Sequence, residues 1–374
     1  MVMNRNAARR PPYRADHVGS LLRPEELKQA RAEHAAGRID AAHLREIEDR
    51  CIEDVVAKQR AVGLEGLTDG EFRRSWWHFD FLVGLEGVEL TRGRKQIQFH
   101  GVTTKSENIA VTGRVGFSSH SMLDDFEFLR GVAGATAKLT IPGPPVLHFR
   151  GGRESIDRNV YPDLDAFFED TAAAYRNVLK AFYDAGCRYL QFDDTVWAYL
   201  CSEKERAESR ARGDDPDKLP EIYAGMINRV LAEKPEDMLV TTHVCRGNFR
   251  SSWISEGGYE PVAEVLLGGI DYDGYFLEYD TDRAGGFEPL RFLPKGDKRV
   301  VLGLVTSKTG ELEDVEQIRR RIDEATRFVA LDQLCLSPQC GFASTEEGNL
   351  LGEDDQWRKL ELVAEVAGSV WPDA

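Results

Sequence analysis

Short apolar runs recur along the whole chain, each closed by a polar loop and followed by a helical pattern. The first run covers residues 13–20, ends in His17-Val18-Gly19-Ser20, and leads into a helix from about Pro24. The second covers residues 63–71 and ends Thr68-Asp69-Gly70-Glu71; the third covers 137–143 and ends in Pro142-Gly143-Pro144-Pro145. The fourth, 188–195, reads Tyr-Leu-Gln-Phe-Asp-Asp-Thr from Tyr189. The fifth is 238–247, the sixth 274–280, the seventh 299–308 and the eighth 334–341. Helical spacing fills the gaps over 164–185, which stops at Gly186, and over 315–330, where Ile318, Ile322, Ala325 and Val329 share a stripe. A last helix covers 356–370. Eight strands alternating with helices predict an α/β fold, a (β/α)8 TIM barrel forming a single domain over residues 13–374. A doubly wound sheet would carry G-x-G-x-x-G after its first strand, and residues 17–22 lack it.

Two stretches break the alternation. Residues 84–114 are rich in Gly and Thr, with short alternating runs such as Gln96-Ile97-Gln98-Phe99, and predict a β-hairpin insertion after strand 2, a candidate lid. Residues 201–220 are highly charged and read as a solvated loop. Residues 1–12 read as a flexible, polar and basic N-terminal tail without the apolar region of a secretory signal.

The chain has 374 residues, and its 42% apolar content is enough for a sizeable core. Its net charge of −16 argues against a nucleic-acid surface, because phosphate would be repelled. No apolar run is long enough to span a membrane. Six scattered cysteines (51, 187, 201, 245, 335 and 340) make no disulfide framework, and predict a reduced, cytoplasmic protein. A homo-oligomer stays open.

In a barrel, the chemistry collects at the C-terminal ends of the strands. His17 and Ser20, Asp69 and Glu71, Asp193 and Asp194, His243 and Cys245, Glu278 and Asp280, Ser307 and Lys308, and Cys340 all fall there. His243 and Cys245 lie two apart on one strand and so face the same way. An imidazole and a thiol side by side suit zinc, and equally a core histidine beside a small buried Cys. With Cys340 and Glu278 they make a candidate zinc set. Two thiolates and a carboxylate outweigh Zn²⁺ by one negative charge, which suits activation of a bound thiol. A hydrolase would more typically use neutral histidines. Cys335 reads as barrel core, and Cys51, Cys187 and Cys201 as packing.

The motifs His243-Val244-Cys245-Arg246-Gly247-Asn248, Phe276-Leu277-Glu278-Tyr279-Asp280 and Ser337-Pro338-Gln339-Cys340-Gly341 resemble those of the cobalamin-independent methionine synthase family. The likeness runs from Ala15-Asp16-His17-Val18-Gly19-Ser20 to Trp357. It is closest to the short, single-barrel members, which look like the catalytic C-terminal half of the full-length enzyme. The resemblance implies Zn²⁺ held by His243, Cys245, Glu278 and Cys340, and homocysteine as the thiol. It also implies a carboxylate site at Ser20 and an ammonium site at Glu71 and Asp193. The alternative for these three is strand-end capping and ion pairing with Arg73, Arg74 or Arg246.

The chain departs from the family at three points. Gln191-Phe192-Asp193-Asp194-Thr195 stands where the family has Gln-Ile-Asp-Glu-Pro. Thr306-Ser307-Lys308-Thr309-Gly310 replaces Asp-Ile-His-Ser-Pro, placing Lys308 where the family has a histidine proposed as proton donor. Lys308 is therefore either a proton donor or a solvated surface lysine. The length leaves no room for the second barrel that helps the full-length enzyme bind polyglutamylated folate. The expected activity is a zinc-dependent methyl transfer to homocysteine, giving methionine. The donor, folate or a methylcorrinoid, is open. The alternatives are alkylation of another thiol by a donor such as an epoxide, a zinc hydrolase, and a non-catalytic thiol binder. Trp76, Trp77 and Trp197 are read as pocket walls or as packing.

Overall fold

The computed structural model describes residues 10–92, 98–99, 102–103 and 107–372. Among them the strands are β1 (Gly66–Leu67), β2 (Glu86–Arg92), β3 (Gln98–Phe99), β4 (Val102–Thr103), β5 (Glu107–Gly116), β6 (Thr136–Pro142), β7 (Tyr189–Asp193), β8 (Leu239–Val244), β9 (Gly274–Glu278), β10 (Arg299–Val305) and β11 (Leu334–Pro338). Seven of them form one parallel sheet in the order β1-β6-β7-β8-β9-β10-β11. Every neighbour is also the next of these strands in the chain, the curled order of a TIM-like barrel.

The principal helices are α1 (Glu25–Ala35), α2 (Ala41–Ala61), α3 (Met122–Ala133), α4 (Leu164–Asp184), α5 (Glu203–Ala211), α6 (Leu219–Leu231), α7 (Val315–Ala325) and α8 (Glu353–Val370). Asp40, Asp163 and Asp314 cap α2, α4 and α7 by accepting from the backbone N–H of His43, Ala166 and Gln317. Helix α5 corrects the solvated loop expected over residues 201–220. Its segment Glu-Lys-Glu-Arg-Ala-Glu-Ser-Arg-Ala is made mostly of strong helix formers, but buries only Ser209, so no apolar stripe announced it.

The expected first strand is also corrected. Over residues 13–20 only Ala15 makes a ladder bridge, to Leu336. The Asp16 carboxylate accepts from the backbone N–H groups of Tyr13 and His17, so these donors turn inward rather than to a neighbouring strand. Side chains hold the rest of the segment: Thr68 Oγ1 donates to Gly19 O (2.6 Å) and Gln191 Nε2 to Val18 O (2.7 Å). Leu21 N–H reaches Gly70 O on one side, while Asp16 N–H reaches Leu336 O on the other. The segment thus lies between β1 and β11.

Alternation along the strands decides what faces the barrel interior. Leu190 and Phe192, Leu277, and Val300 and Leu302 join the large core beneath the helices. Tyr189, Phe276, Val301 and Cys335 instead form a separate inner cluster with Tyr13 and Val18. An ion pair sits among them: Lys138 Nζ donates to Asp16 Oδ1 (3.1 Å), Tyr189 Oη donates to Asp16 Oδ2 (2.8 Å), and the ammonium lies 4.0 Å from the Phe276 ring centroid. Both charges are fully buried and bonded, the condition for tolerating them there. The inward set continues up the strands to Gln191 and Asp193 on β7, Thr241 and His243 on β8, and Glu278 on β9.

Between β1 and β6, β2 pairs antiparallel with β5 outside the main sheet. Residues 93–97, 100–101 and 104–106 of the expected 84–114 hairpin lie outside the described residues, as do residues 1–9 of the expected tail. No helix among the described residues is long and apolar enough to cross a membrane.

Candidate metal centre and substrate cleft

His243, Cys245 and Cys340 bring their ligand atoms within 4.8 Å of one another. His243 is opposite Asp193 in the β7–β8 register, and Cys245 follows two residues on, just past the strand. Cys340 arrives from the loop after β11. Its neighbour Gly341 allows the approach, because a Cβ there would stand 1.9 Å from Ser20 Oγ. All six cysteines are free, and the Cys245 and Cys340 sulfurs lie 3.3 Å apart in a hydrogen bond. Gly247 N–H donates to Cys245 Sγ at 3.2 Å.

These thiols share a proton unevenly. The bond from Cys245 holds Cys340 well below the ordinary thiol range, with His243 and Lys308 helping against burial. Cys245 is pushed well above it by the same bond and by burial. Burial opposes a charge on His243, but Cys340, Asp193 and Glu278 together raise it above its ordinary value. Neither ring nitrogen of this buried imidazole has a nitrogen or oxygen partner, and the polar group it meets is the Cys340 thiol. A buried imidazole whose polar neighbours are two cysteine sulfurs fits a soft divalent metal, zinc above all.

Glu278 stands outside this group. Its Oε1 accepts from Arg283 Nη2 (3.2 Å) and its Oε2 from Arg246 N–H (3.3 Å). The Tyr259 hydroxyl donates to its carbonyl and accepts from its N–H. Burial raises the Glu278 carboxyl above its ordinary value, against the opposing charge of Lys308. Lys308 is 7% exposed, so it is no solvated surface lysine. Its Nζ lies 3.3 Å from Gly247 O and 3.5 Å from Asn248 Oδ1, both on the loop that carries Cys245.

Glu71, Asp193 and Ser20 line the same cleft as His243, Cys245 and Cys340. Glu71 sits in a left-handed turn: Gly70 has φ 66° and Glu71 itself φ 61°. Asp69 Oδ1 accepts from Glu71 N–H, and Arg23 Nη2 donates to Glu71 O at 2.7 Å, which holds the turn. Thr140 Oγ1 donates to Glu71 Oε1 at 2.9 Å, and Arg74 Nη1 lies 3.6 Å from Oε2. Burial raises the Glu71 carboxyl, with Arg74 opposing. Asp193 accepts from Gln191 Nε2 at 2.7 Å, and burial pushes it up to about 7 against the charge of His243. Its neighbour Asp194 points the other way, taking Val196 N–H and Trp197 Nε1.

The family model for the catalytic domain of cobalamin-independent synthase matches residues 14–350. The chain belongs to that family. It is 56% identical over 364 residues to the uncharacterized protein YxjH of Bacillus subtilis, covering 97% of this chain and 96% of that one. It is 22% identical to a methionine synthase of Sulfolobus acidocaldarius, over 87% of this chain and 84% of that one. A putative vitamin-B12-independent methionine synthase from Listeria monocytogenes superposes with a TM-score of 0.79 at 44% identity, covering 96% of this chain and 98% of that one. A B12-independent methionine synthase from Shewanella sp. W3-18-1 shares the fold, with a TM-score of 0.71 at 19% identity over 95% and 97% of the two chains.

In this cobalamin-independent synthase chain, the structure gathers His243, Cys245, Cys340, Ser20, Glu71 and Asp193 around one cleft. Glu278 and Lys308 are not among the residues that line it. Trp76 and Trp77 line the cleft, whereas Trp197 is buried against Asp194. Sequence reading missed Thr140, which ties Glu71 to Arg74, and missed Arg150, Thr195 and Tyr199 on the cleft wall. Arg150 follows the short turn Val146–Phe149 beyond β6, and Thr195 and Tyr199 bound the short helix Val196–Tyr199 beyond β7, segments too brief for periodicity to mark them.

Proposed function

We propose that the protein is a zinc-dependent methyltransferase that moves a methyl group from a small-molecule donor onto homocysteine, giving methionine. Membership of the cobalamin-independent synthase family makes it a methionine synthase-like methyltransferase. The observation that carries the finer reading is a soft donor group, His243, Cys245 and Cys340, opening on a cleft lined by two carboxylates. The residues that would hold the metal are those three, with Glu278 as fourth. To join them, Glu278 Oε1 would exchange its bond from Arg283 for the metal. Zinc bound there would lower the pKa of a coordinated thiol while leaving its sulfur nucleophilic.

The residues of the chain do the rest. Glu71 and Asp193 face the amino acid's ammonium group, and Ser20 its carboxylate. That grip fixes the sulfur against the incoming methyl carbon. A new S–C bond forms as the bond from carbon to the donor breaks, and the leaving group keeps that electron pair. Trp76 and Trp77 keep bulk water from the reacting atoms. Lys308 offsets the negative charge of the donor set where it stands; protonating a leaving group would require it to release Gly247 and Asn248. We read residues 13–20, which bridge β11 at Ala15 without forming a regular strand, as the segment that closes a (β/α)8 barrel. The six unpaired thiols suit a reducing cytoplasm.

The test is to load the purified protein with zinc, supply L-homocysteine with 5-methyltetrahydrofolate or methylcobalamin, and measure methionine. Methionine formed with either donor supports the reading. A protein that alkylates no thiol, and whose hydrolysis of an ester is inhibited by added thiol, is a zinc hydrolase instead.

A further inference from the structure

Apart from His243, Arg150 is the basic side chain among the described residues that lines the cleft. The other cations nearby are committed or enclosed. Arg74 donates to Thr140 O and faces Glu71, and Lys308 is bound to Gly247 and Asn248; Arg246 has no hydrogen-bond partner on its guanidinium nitrogens, but it is fully buried over the Tyr259 ring and does not line the cleft. Arg150 has no hydrogen bond and no ion pair within 4 Å among the described residues, and its Nε is buried without a partner, although its charge is felt by Glu205, Tyr199 and His78. A guanidinium with free donors, beside a cleft in a chain of net charge −16, is poised for an anion that is not part of the protein.

Its level in the cleft says which anion. Asp193 and His243 sit at strand ends in one register row, and both are buried. Arg150 comes from the loop beyond β6, after the short turn Val146–Phe149, is partly exposed, and lines the cleft together with Trp77. The amino acid belongs in the lower layer, where Ser20, Glu71 and Asp193 meet its charges. A methyl donor must reach the sulfur from the open side, past Arg150.

We propose that Arg150 anchors an anionic group of the methyl donor, a carboxylate or a phosphate. This rests on the methyltransferase reading given above. Planar bidentate pairing favours arginine for either oxyanion, and the half-buried Trp77 on the same cleft offers a flanking surface for the donor's flat body.

The test titrates the zinc-loaded protein, with and without L-homocysteine, against three probes, and tryptophan fluorescence reads binding. The probes are 5-methyltetrahydrofolate with its glutamate tail, the same methylated pterin without the tail, and methylcobalamin with its phosphodiester. Arg150→Gln is expected to weaken an anionic probe by about 10- to 100-fold, the worth of one charge-assisted pair, and to leave the tailless pterin unchanged. Arg150→Lys keeps part of the affinity. A loss confined to folate assigns a carboxylate; a loss confined to methylcobalamin assigns a phosphate. The proposal is overturned if neither anionic probe binds the native protein, or if both bind Arg150→Gln equally well. It is also overturned if that variant loses L-homocysteine instead, which would make Arg150 the anchor of the amino acid. The methyltransferase reading fails separately, when the native protein binds no thiol at zinc, a result in which Arg150 plays no part.

Discussion

Replacing Glu71 by Gln separates recognition of a substrate from service to the fold. The two side chains are nearly the same size, and the carboxylate is 3% exposed. Thr140 Oγ1 can still donate to the amide oxygen that replaces Oε1. What is lost is the negative charge 3.6 Å from Arg74 Nη1. Breaking a buried pair costs several kcal/mol, but Arg74 keeps its bond to Thr140 O and the field of Asp69 and Asp193, so we expect a loss of about 3 kcal/mol in urea unfolding. Recognition is read by calorimetry with two thiols, L-homocysteine and 4-mercaptobutanoate, which lacks the ammonium group. A bond between an ammonium and a carboxylate contributes about 1.5–3 kcal/mol, so Glu71→Gln should cut the preference for homocysteine by about 10- to 100-fold. Asp193 remains, so some preference survives. Affinity for 4-mercaptobutanoate should hold. Loss of stability with an unchanged preference would refute the reasoning and leave Glu71 as the counter-ion of Arg74 alone.

Three further outcomes are expected. Without metal, the Cys245 and Cys340 sulfurs, 3.3 Å apart, should be oxidised by diamide to a disulfide, and zinc should prevent it; a thiol titration that falls equally in both forms would contradict the donor set. Gly341→Ala would drive a Cβ to 1.9 Å from Ser20 Oγ, so stability should fall by about 1–3 kcal/mol and homocysteine should bind more weakly. Adding Ser20→Ala should recover stability without affinity, and the opposite pattern would count against Ser20 as a substrate contact. His148 is buried against Tyr223 Oη at 2.7 Å, and burial lowers it from 6.5 to about 4. The unfolded chain therefore takes up this proton first as pH falls. Its contribution is complete above pH 6.5 and is lost toward pH 4, about 3 kcal/mol in all. Urea unfolding of His148→Gln should show a shallower acid slope than the native chain, and an equal slope would count against the buried neutral imidazole.

The strand-end residues were legible because the period of a strand is two: His243 and Cys245 share a face wherever that strand lies. Asp193 was singled out from Asp194 by the family resemblance alone, and the structure turns Asp194 away to Val196 N–H and Trp197 Nε1. Glu278 was legible in identity but not in posture, because its posture depends on Arg283, which reaches back from the short 3-10 turn Asp282–Ala284. The pairing of Glu71 with Arg74 depends on a left-handed turn that Asp69-Gly70 hints at but does not fix. Arg150 was invisible, since its place in the cleft is set by a turn with no repeating pattern. Helix α5 and the first barrel segment were misread for opposite reasons. Charge on every face hid the helix, while an apolar run made a strand of a segment whose donors turn to Asp16.

Zinc-edge X-ray absorption on the purified protein, with and without L-homocysteine, tests thiol activation most directly. The account predicts two sulfur ligands at about 2.3 Å at rest, from Cys245 and Cys340, and one more sulfur at the same distance when the thiol is added. A spectrum unchanged at saturating homocysteine would contradict homocysteine as the acceptor, and a protein that holds no zinc when zinc is supplied would contradict the metal centre itself.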